Sequence, residues 1–225
     1  MRRGFLLISS FLMVFLAACR DPGLDHAREF LQLEDWPRAS MTYDQCVQED
    51  AQSAEARLGL AMARLGWARE RSQFGMDSLD DWLRVARDLA IVERLDSTQN
   101  TRADRADALY RGSLWLQSHS RPARAEAVAR LAQKVDPDHA PSAHFLGNLA
   151  RARNESTDAE RWFSRALAAD SGFLPAYMGL AEVAVSENDP EGAILYLQMG
   201  LRRDATNQWF RERIGALRDS LGWKE

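Results

Sequence analysis

The chain has 225 residues, enough for one extended or one large domain. Its 29 basic and 33 acidic residues give a formal net charge of −4 at pH 7. Because charges of both signs are interspersed along an acidic chain, we expect no nucleic-acid partner, which would require a basic stripe.

The first 18 residues predict a secretory signal peptide. Arg2 and Arg3 form a basic start, residues 4–15 are apolar apart from two serines, and small residues follow. This apolar stretch is too short to span a bilayer well, because a spanning helix needs about 20 apolar residues.

A cysteine closes this segment, in the sequence Leu-Ala-Ala-Cys at residues 16–19. The sequence resembles the lipobox of bacterial lipoproteins, and the resemblance implies that Cys19 is lipidated and becomes the new N-terminus. In the enterobacterial sorting rule an aspartate after the cysteine retains the protein in the inner membrane. Arg20 therefore favours the bacterial outer membrane, with the chain on its periplasmic face. The alternative is an ordinary cleaved signal peptide with a chance cysteine.

A pattern with a period of 34 residues runs through the rest of the chain. A large apolar residue followed by a small one recurs at this interval, at Leu146-Gly147 and Leu180-Ala181 on the first helices of two predicted helix pairs and at Ile214-Gly215 on a terminal helix. The chain resembles the tetratricopeptide repeat family over most of its mature length, since that family repeats two antiparallel helices every 34 residues. The resemblance implies an all-α fold, a right-handed α-solenoid of tetratricopeptide helix pairs with a C-terminal capping helix.

Small residues and aspartates recur at fixed places in these predicted pairs. Glycine weakens a helix by roughly 1 kcal/mol against alanine, so a glycine beside a buried leucine needs a packing reason. We expect each small residue to let a neighbouring second helix approach closely; these residues are Ala27, Ala61, Ser113, Gly147, Ala181 and Gly215. Aspartates stand where each second helix is predicted to end and to start a turn, at Asp50, Asp96, Asp136, Asp170 and Asp204.

The predicted organisation has four parts: a lipoprotein signal peptide (1–18), a lipidated tether (19–23), a solenoid of about five units (24–207), and a capping helix with a tail (208–225). The second unit departs from the period. Its helices are predicted at 54–65 and 79–95, which makes the unit about ten residues too long. We expect extended helices there rather than longer loops, because 103–116 reads as one continuous helix.

Nothing in the sequence argues for an enzyme, a cofactor, a metal or a small-molecule substrate. Even the closest histidines, His139 and His144, are five residues apart, whereas a spacing of four places two metal ligands on one helix face. We interpret His26 as a packing residue of the first helix. Cys46 stands where other second helices carry small residues, so we interpret it as a small core residue.

What remains as a functional feature is a surface. In solenoids of this kind one face of each first helix lines a concave groove. The resemblance assigns to this face Leu58, Met62, Leu65, Tyr110, Leu114, Gln117, His144, Asn148, Arg151, Met178, Glu182 and Val185.

The early part of this predicted face is apolar and the later part is polar. The face has no lysine and Arg151 stands nearly alone on it, which argues against capture of a terminal carboxylate and favours an extended or helical apolar peptide, centred between the second and third units. An equally good alternative is that neighbouring helices cover the apolar residues, since exposed and packed apolar stripes look alike in sequence.

These predictions together describe a lipid-anchored periplasmic scaffold that binds another envelope protein. Lipoproteins of this build resemble pilotins of type IV pilus secretins, tight-adherence pilus lipoproteins and outer-membrane assembly components. Pilus or secretin assembly is the specific expectation. The alternatives are an outer-membrane assembly component and an accessory regulator of a cell-wall enzyme, because a fold does not fix a function.

Overall fold

The computed structural model describes residues 22–222. The predicted signal peptide, Cys19 and most of the predicted tether lie outside the described residues. Within 22–222 the regular structure is helical, with no strand. No helix in that range is both long enough and apolar enough to cross a membrane.

The chain divides into two compact units, one ending at Thr101 and one beginning at Arg102. Unit 1 contains α1 (Pro22–Gln32), α2 (Trp36–Glu49), α3 (Ala54–Gln73) and α4 (Leu79–Leu95). Unit 2 contains α5 (Arg102–Ser118), α6 (Pro122–Val135), α7 (Ala140–Ala152), α8 (Ser156–Ala169), α9 (Leu174–Ser186), α10 (Pro190–Arg203) and α11 (Gln208–Ser220). Within each unit consecutive helices pack in pairs, and α11 packs against α10 as a single terminal helix.

The second helix of each described pair ends at an aspartate, as the sequence predicts. In all five turns the aspartate carboxylate accepts a hydrogen bond from the backbone N–H two residues later, at 2.8–3.2 Å. The backbone carbonyl of the same aspartate accepts a second bond from the residue three positions later. The aspartate therefore ends one helix and builds the turn into the next, because its short acceptor side chain can replace a backbone partner.

Longer helices account for the irregular spacing of the second helix pair. The helix α3 has 20 residues and α4 has 17, whereas α6 to α10 have 13 or 14. The helix α3 continues to Gln73, two turns beyond its predicted end at Leu65. Ser78 then begins α4 with a capping box, in which its hydroxyl and the Asp81 carboxylate each accept the other residue's backbone N–H. The prediction of extended helices is confirmed.

In unit 2 the ring of Phe163 on α8 fills space that two glycines leave open. A Cβ atom at Gly147 would lie 2.6 Å from this ring, and one at Gly179 would lie 2.5 Å from it. Gly147 therefore lets the second helix of its own pair approach, as predicted, and Gly179 does the same for the following pair. Gly215 on α11 has open space at its Cβ position, so its predicted packing role is wrong.

Of two other residues predicted to pack in the core, one is buried and the other is exposed. Cys46 is buried in the core of unit 1 with Tyr43 and Leu60, as predicted. His26 is exposed, so the packing role assigned to it is wrong. The neighbouring Ala27 is the buried residue of α1, and Leu24, Phe30 and Leu31 pack partly buried against the same core.

Candidate partner-binding surfaces

The residues predicted to line a binding face are divided between the two units. In unit 1, Leu58 and Met62 on α3 are half-buried. Leu65 is only 1% exposed and belongs to the core, so its assignment to a surface is corrected. The reason is that α3 does not end near Leu65, and the residue lies in the packed middle of a longer helix.

In unit 2 the face begins on α5 with one exposed apolar side chain. Tyr110 is half-buried, and its ring meets His139 and Phe145 edge-on at centroid distances of 5.6 and 6.2 Å. Leu114, one turn later, is 40% exposed, and Gln117 is also exposed. This face of α5 therefore presents an apolar side chain and an amide to solvent beside a packed tyrosine.

On α7 the face is polar and partly buried. The side chains of His144 and Asn148 are hydrogen-bonded through Nε2 and Nδ2 at 3.3 Å. The His144 ring also packs on Phe163 and Phe173, with centroid distances of 5.6 and 5.5 Å. This burial is the main cause that lowers the pKa of His144 to about 4, and the positive charge of Arg151 adds to it. The imidazole is therefore neutral at neutral pH.

An ion pair joins α7 to α9 on the same face. The guanidinium of Arg151 lies 3.1 Å from the carboxylate of Glu182, and both side chains are well exposed. Met178 and Val185 on α9 are half-buried against the core that α9, α10 and α11 share. The cation that the sequence singled out is therefore already paired, and the predicted face also carries amides and a neutral imidazole.

The sequence interpretation missed a ladder of arginines in unit 1. Arg57, Arg64 and Arg71 follow one another every seven residues on α3, and they meet aspartates seven residues apart on α4. Asp88 lies 2.5 Å from Arg64 and 3.6 Å from Arg57, and Asp81 lies 3.1 Å from Arg71. The matching spacing of seven on both helices was the signal that could have revealed the ladder.

A cavity of about 130 Å³ opens at the end of this ladder. Its lining consists of Ser40 from α2, Arg64, Trp67, Ala68 and Arg71 from α3, and Asp81 and Arg84 from α4. Arg64 also reaches Asp44 on α2 at 3.0 Å, and Arg71 donates to the carbonyl oxygen of Met76. The cavity is thus formed by three helices of one unit, and cations outnumber anions on its wall.

The next feature is the arrangement of side chains that could bind a metal ion. No group of three or more His, Cys, Asp or Glu side chains among residues 22–222 is arranged to hold a metal ion. The surfaces found in each unit are suited to contacts with another molecule: an exposed apolar side chain and an exposed amide on α5 in unit 2, and an arginine-lined cavity in unit 1.

No protein-family model and no curated protein sequence matches this chain. Solved structures match it in fold. MamA is 17% identical with a TM-score of 0.53, and the match covers 83% of this chain and 96% of MamA. YrrB, described as a TPR protein with an unusual peptide-binding site, is 15% identical with a TM-score of 0.52, over 85% of this chain and 89% of YrrB.

PilW, described as a widely conserved type IV pilus biogenesis factor, is a third structure similar in fold. It is 18% identical with a TM-score of 0.50, and the match covers 89% of this chain and 85% of PilW. At these identities the similarity establishes architecture: the chain has the all-α fold of a tetratricopeptide solenoid, as its 34-residue period predicts.

Proposed function

We propose that this chain is a membrane-anchored periplasmic scaffold that binds a segment of another envelope protein. The observation that carries the proposal is the face formed in unit 2 by α5, α7 and α9. Leu114 is 40% exposed there, between the packed Tyr110 and the exposed Gln117. An exposed apolar side chain with polar groups on the same predicted face can form the centre of an interaction hot spot, in which the surrounding residues exclude water.

The ligand of this face is an extended or helical peptide segment rather than a free C-terminal carboxylate. The one cation of the face, Arg151, already has a carboxylate partner in Glu182. Asn148 and Gln117 offer amides, which can meet the backbone of a bound segment. The fold of YrrB, which carries a peptide-binding site, supports this choice of ligand.

Assembly of a type IV or tight-adherence pilus, or of a secretin, is the specific role that we propose. The similarity in fold to PilW, a type IV pilus biogenesis factor, supports it. The lipobox-like sequence at 16–19 supports a lipid anchor at Cys19. Since α1 begins at Pro22, such an anchor would keep unit 1 near the membrane surface.

The proposal is tested by one charge substitution with a matched control. Leu114→Glu places a carboxylate at the centre of the proposed contact, and we expect it to abolish co-purification of the pilus or secretin component from cells. Leu131→Glu is the control, because Leu131 is 43% exposed on α6, the other helix of the same pair. Both variants should keep the melting temperature of the wild type.

Substitution of His144 or Asn148 should weaken co-purification less than Leu114→Glu does, because a polar rim contributes less than a desolvated centre. The proposal fails if both leucine variants lose the partner equally, or if binding is lost only in variants that also unfold. In the latter case Leu114 stabilises the fold and the binding face lies elsewhere.

A further inference from the structure

We propose that the arginine-lined cavity of unit 1 binds an acidic side chain of a partner segment whose flanking side chains are apolar. The proposal rests on the proposed function in one respect, that the ligand belongs to another protein. It concerns a different surface, formed by α2, α3 and α4, and a different chemistry from the face of α5, α7 and α9.

The first support is the set of guanidinium N–H donors that remain available on the cavity wall. Arg64, Arg71 and Arg84 line the cavity, and Asp81 is the only carboxylate among the lining residues. Each guanidinium carries five N–H donors. The contacts of Arg64 and Arg71 described above engage two nitrogens each, and Arg84 engages one, with Asp80 at 2.6 Å. Donors therefore remain for a further carboxylate, which can accept two parallel N–H bonds from one guanidinium.

The second support is that the arginines are held in place before any ligand arrives. The carboxylate of Asp88, which is only 4% exposed, contacts Arg64 at 2.5 Å. Arg71 contacts Asp81 at 3.1 Å, and its guanidinium lies 5.9 Å from the centre of the Trp67 ring. Binding a carboxylate here would thus freeze few additional side-chain rotations, which is a main cost of association.

The third support identifies a peptide, rather than a free anion, as the ligand. Four aspartates contact these arginines, so charge alone would hold any carboxylate weakly, and a ligand needs apolar contacts in addition to hydrogen bonds from the arginines. The apolar surface beside the cavity supplies the remaining contacts: Trp67 on the cavity wall is 37% exposed, and Met76, whose carbonyl accepts from Arg71, is 56% exposed. A segment with a carboxylate between apolar side chains would meet both features.

The extension of α3 is what forms this cavity. Trp67, Ala68 and Arg71 all lie beyond Leu65, in the two additional turns of the helix. A second repeat of ordinary length would lack this part of the wall. The departure from the 34-residue period therefore supplies three of the seven residues that line this cavity.

A peptide selection tests the proposal on the full chain purified in detergent. A phage-displayed library of random hexapeptides is selected on the wild type, and the selected peptides are then measured by calorimetry on two variants. Arg84→Gln removes a cation from the cavity wall, and 57% of that side chain is exposed, so the fold should tolerate it. Arg87→Gln removes the same charge from an exposed site on α4 that does not line the cavity.

We expect the selected peptides to carry Asp or Glu between apolar residues. Their affinity should fall at least about fivefold on Arg84→Gln, as for a lost charge-assisted hydrogen bond, and less than about twofold on Arg87→Gln, as for a distant exposed charge. Replacing the acidic residue of the peptide by its amide should weaken binding as much as Arg84→Gln does. The NMR signal of the Trp67 indole N–H, identified by its absence in Trp67→Phe, should shift when the peptide binds.

The proposal is overturned if the selected peptides show no acidic preference, or if Arg84→Gln and Arg87→Gln weaken binding equally. It is also overturned if inorganic phosphate or acetate shifts the Trp67 signal fully and displaces the peptide, because the cavity would then be a site for small anions. Failure here leaves the scaffold function untouched, since the Leu114→Glu experiment reports on unit 2 alone.

Discussion

At the scale of single residues, Phe163 shows how this chain uses glycine. Its ring occupies the space that Cβ atoms at Gly147 and Gly179 would need. Both glycines lie inside helices, where glycine is unfavourable by roughly 1 kcal/mol against alanine. The packing of a buried aromatic ring on two helices offsets that cost.

The first residue-scale prediction concerns Gly147→Leu. The new side chain would overlap the Phe163 ring, so we expect the free energy of unfolding to fall by about 1–3 kcal/mol, as in other overpacked contacts. Circular dichroism melts measure the effect. Gly215→Leu is the matched control, because its Cβ position is open and the melting temperature should not fall. Equal melting temperatures of Gly147→Leu and the wild type would contradict the observed packing.

A second residue-scale prediction concerns His144 and pH. Its pKa in the folded chain is about 4, below the value near 6.5 of an unfolded chain. As the pH falls from about 6.5 towards 4, the unfolded chain binds a proton that the folded chain does not. The free energy of unfolding should therefore decrease, by up to about 1.4 kcal/mol per pH unit.

The test compares denaturant unfolding of the wild type and His144→Phe between pH 7 and pH 4. The variant cannot titrate at this position and keeps an aromatic ring against Phe163, so its unfolding free energy should depend less steeply on pH. An unchanged slope would show that His144 takes up its proton in the folded chain at an ordinary pH.

The sequence predicts some of these residue roles and misses others, for physical reasons. Gly147 and the five turn aspartates are recognisable because glycine inside a helix and aspartate at its end each imply one local geometry. Leu65 was placed on a surface, although it is core, because packed and exposed apolar stripes have the same spacing. The partners of Arg64 and Arg71 on α4 are hard to predict because charges on a helix usually face solvent, and the shared spacing of seven residues does not say which charges meet.

At the scale of elements, the contact between α3 and α4 combines buried charge with ordinary apolar packing. Trp82, Val85 and Leu89 on α4 are buried in the usual way. Asp88 is equally buried, and it is compensated by Arg57 and Arg64 from the facing helix. Removing one partner from such a cluster leaves a buried charge without compensation. The resulting loss in the free energy of unfolding exceeds what the intact cluster contributes to it.

The element-scale prediction therefore concerns Asp88→Asn. It leaves two guanidinium groups without their shared carboxylate, and we expect the free energy of unfolding to fall by about 3 kcal/mol. Asp80→Asn is the control on the same helix, because the pair of Asp80 with Arg84 is more than half exposed and should contribute less than about 1 kcal/mol. Equal effects of the two changes in denaturant unfolding would show that burial does not strengthen the ladder.

At the scale of the whole molecule, the lipobox-like sequence at 16–19 predicts attachment to a membrane through Cys19. The chain has two cysteines, and Cys46 is buried in the core of unit 1. We predict that Cys19→Ala abolishes labelling by a radioactive fatty acid and releases the protein from the membrane fraction or leaves it uncleaved. Cys46→Ala should be labelled as strongly as the wild type. Equal labelling of Cys19→Ala and the wild type would contradict lipidation at this residue.

The shared ring of Phe163 also couples the local unfolding of two helix pairs in unit 2. The ring belongs to the pair α7 and α8, but it also contacts Gly179 of the pair α9 and α10. In a linear array of repeats, each boundary contributes a coupling free energy that neighbours lose together. Fraying of either pair exposes the same ring to water, so the two pairs open as one cooperative block. Their slowest-exchanging amide protons should accordingly report a common opening free energy.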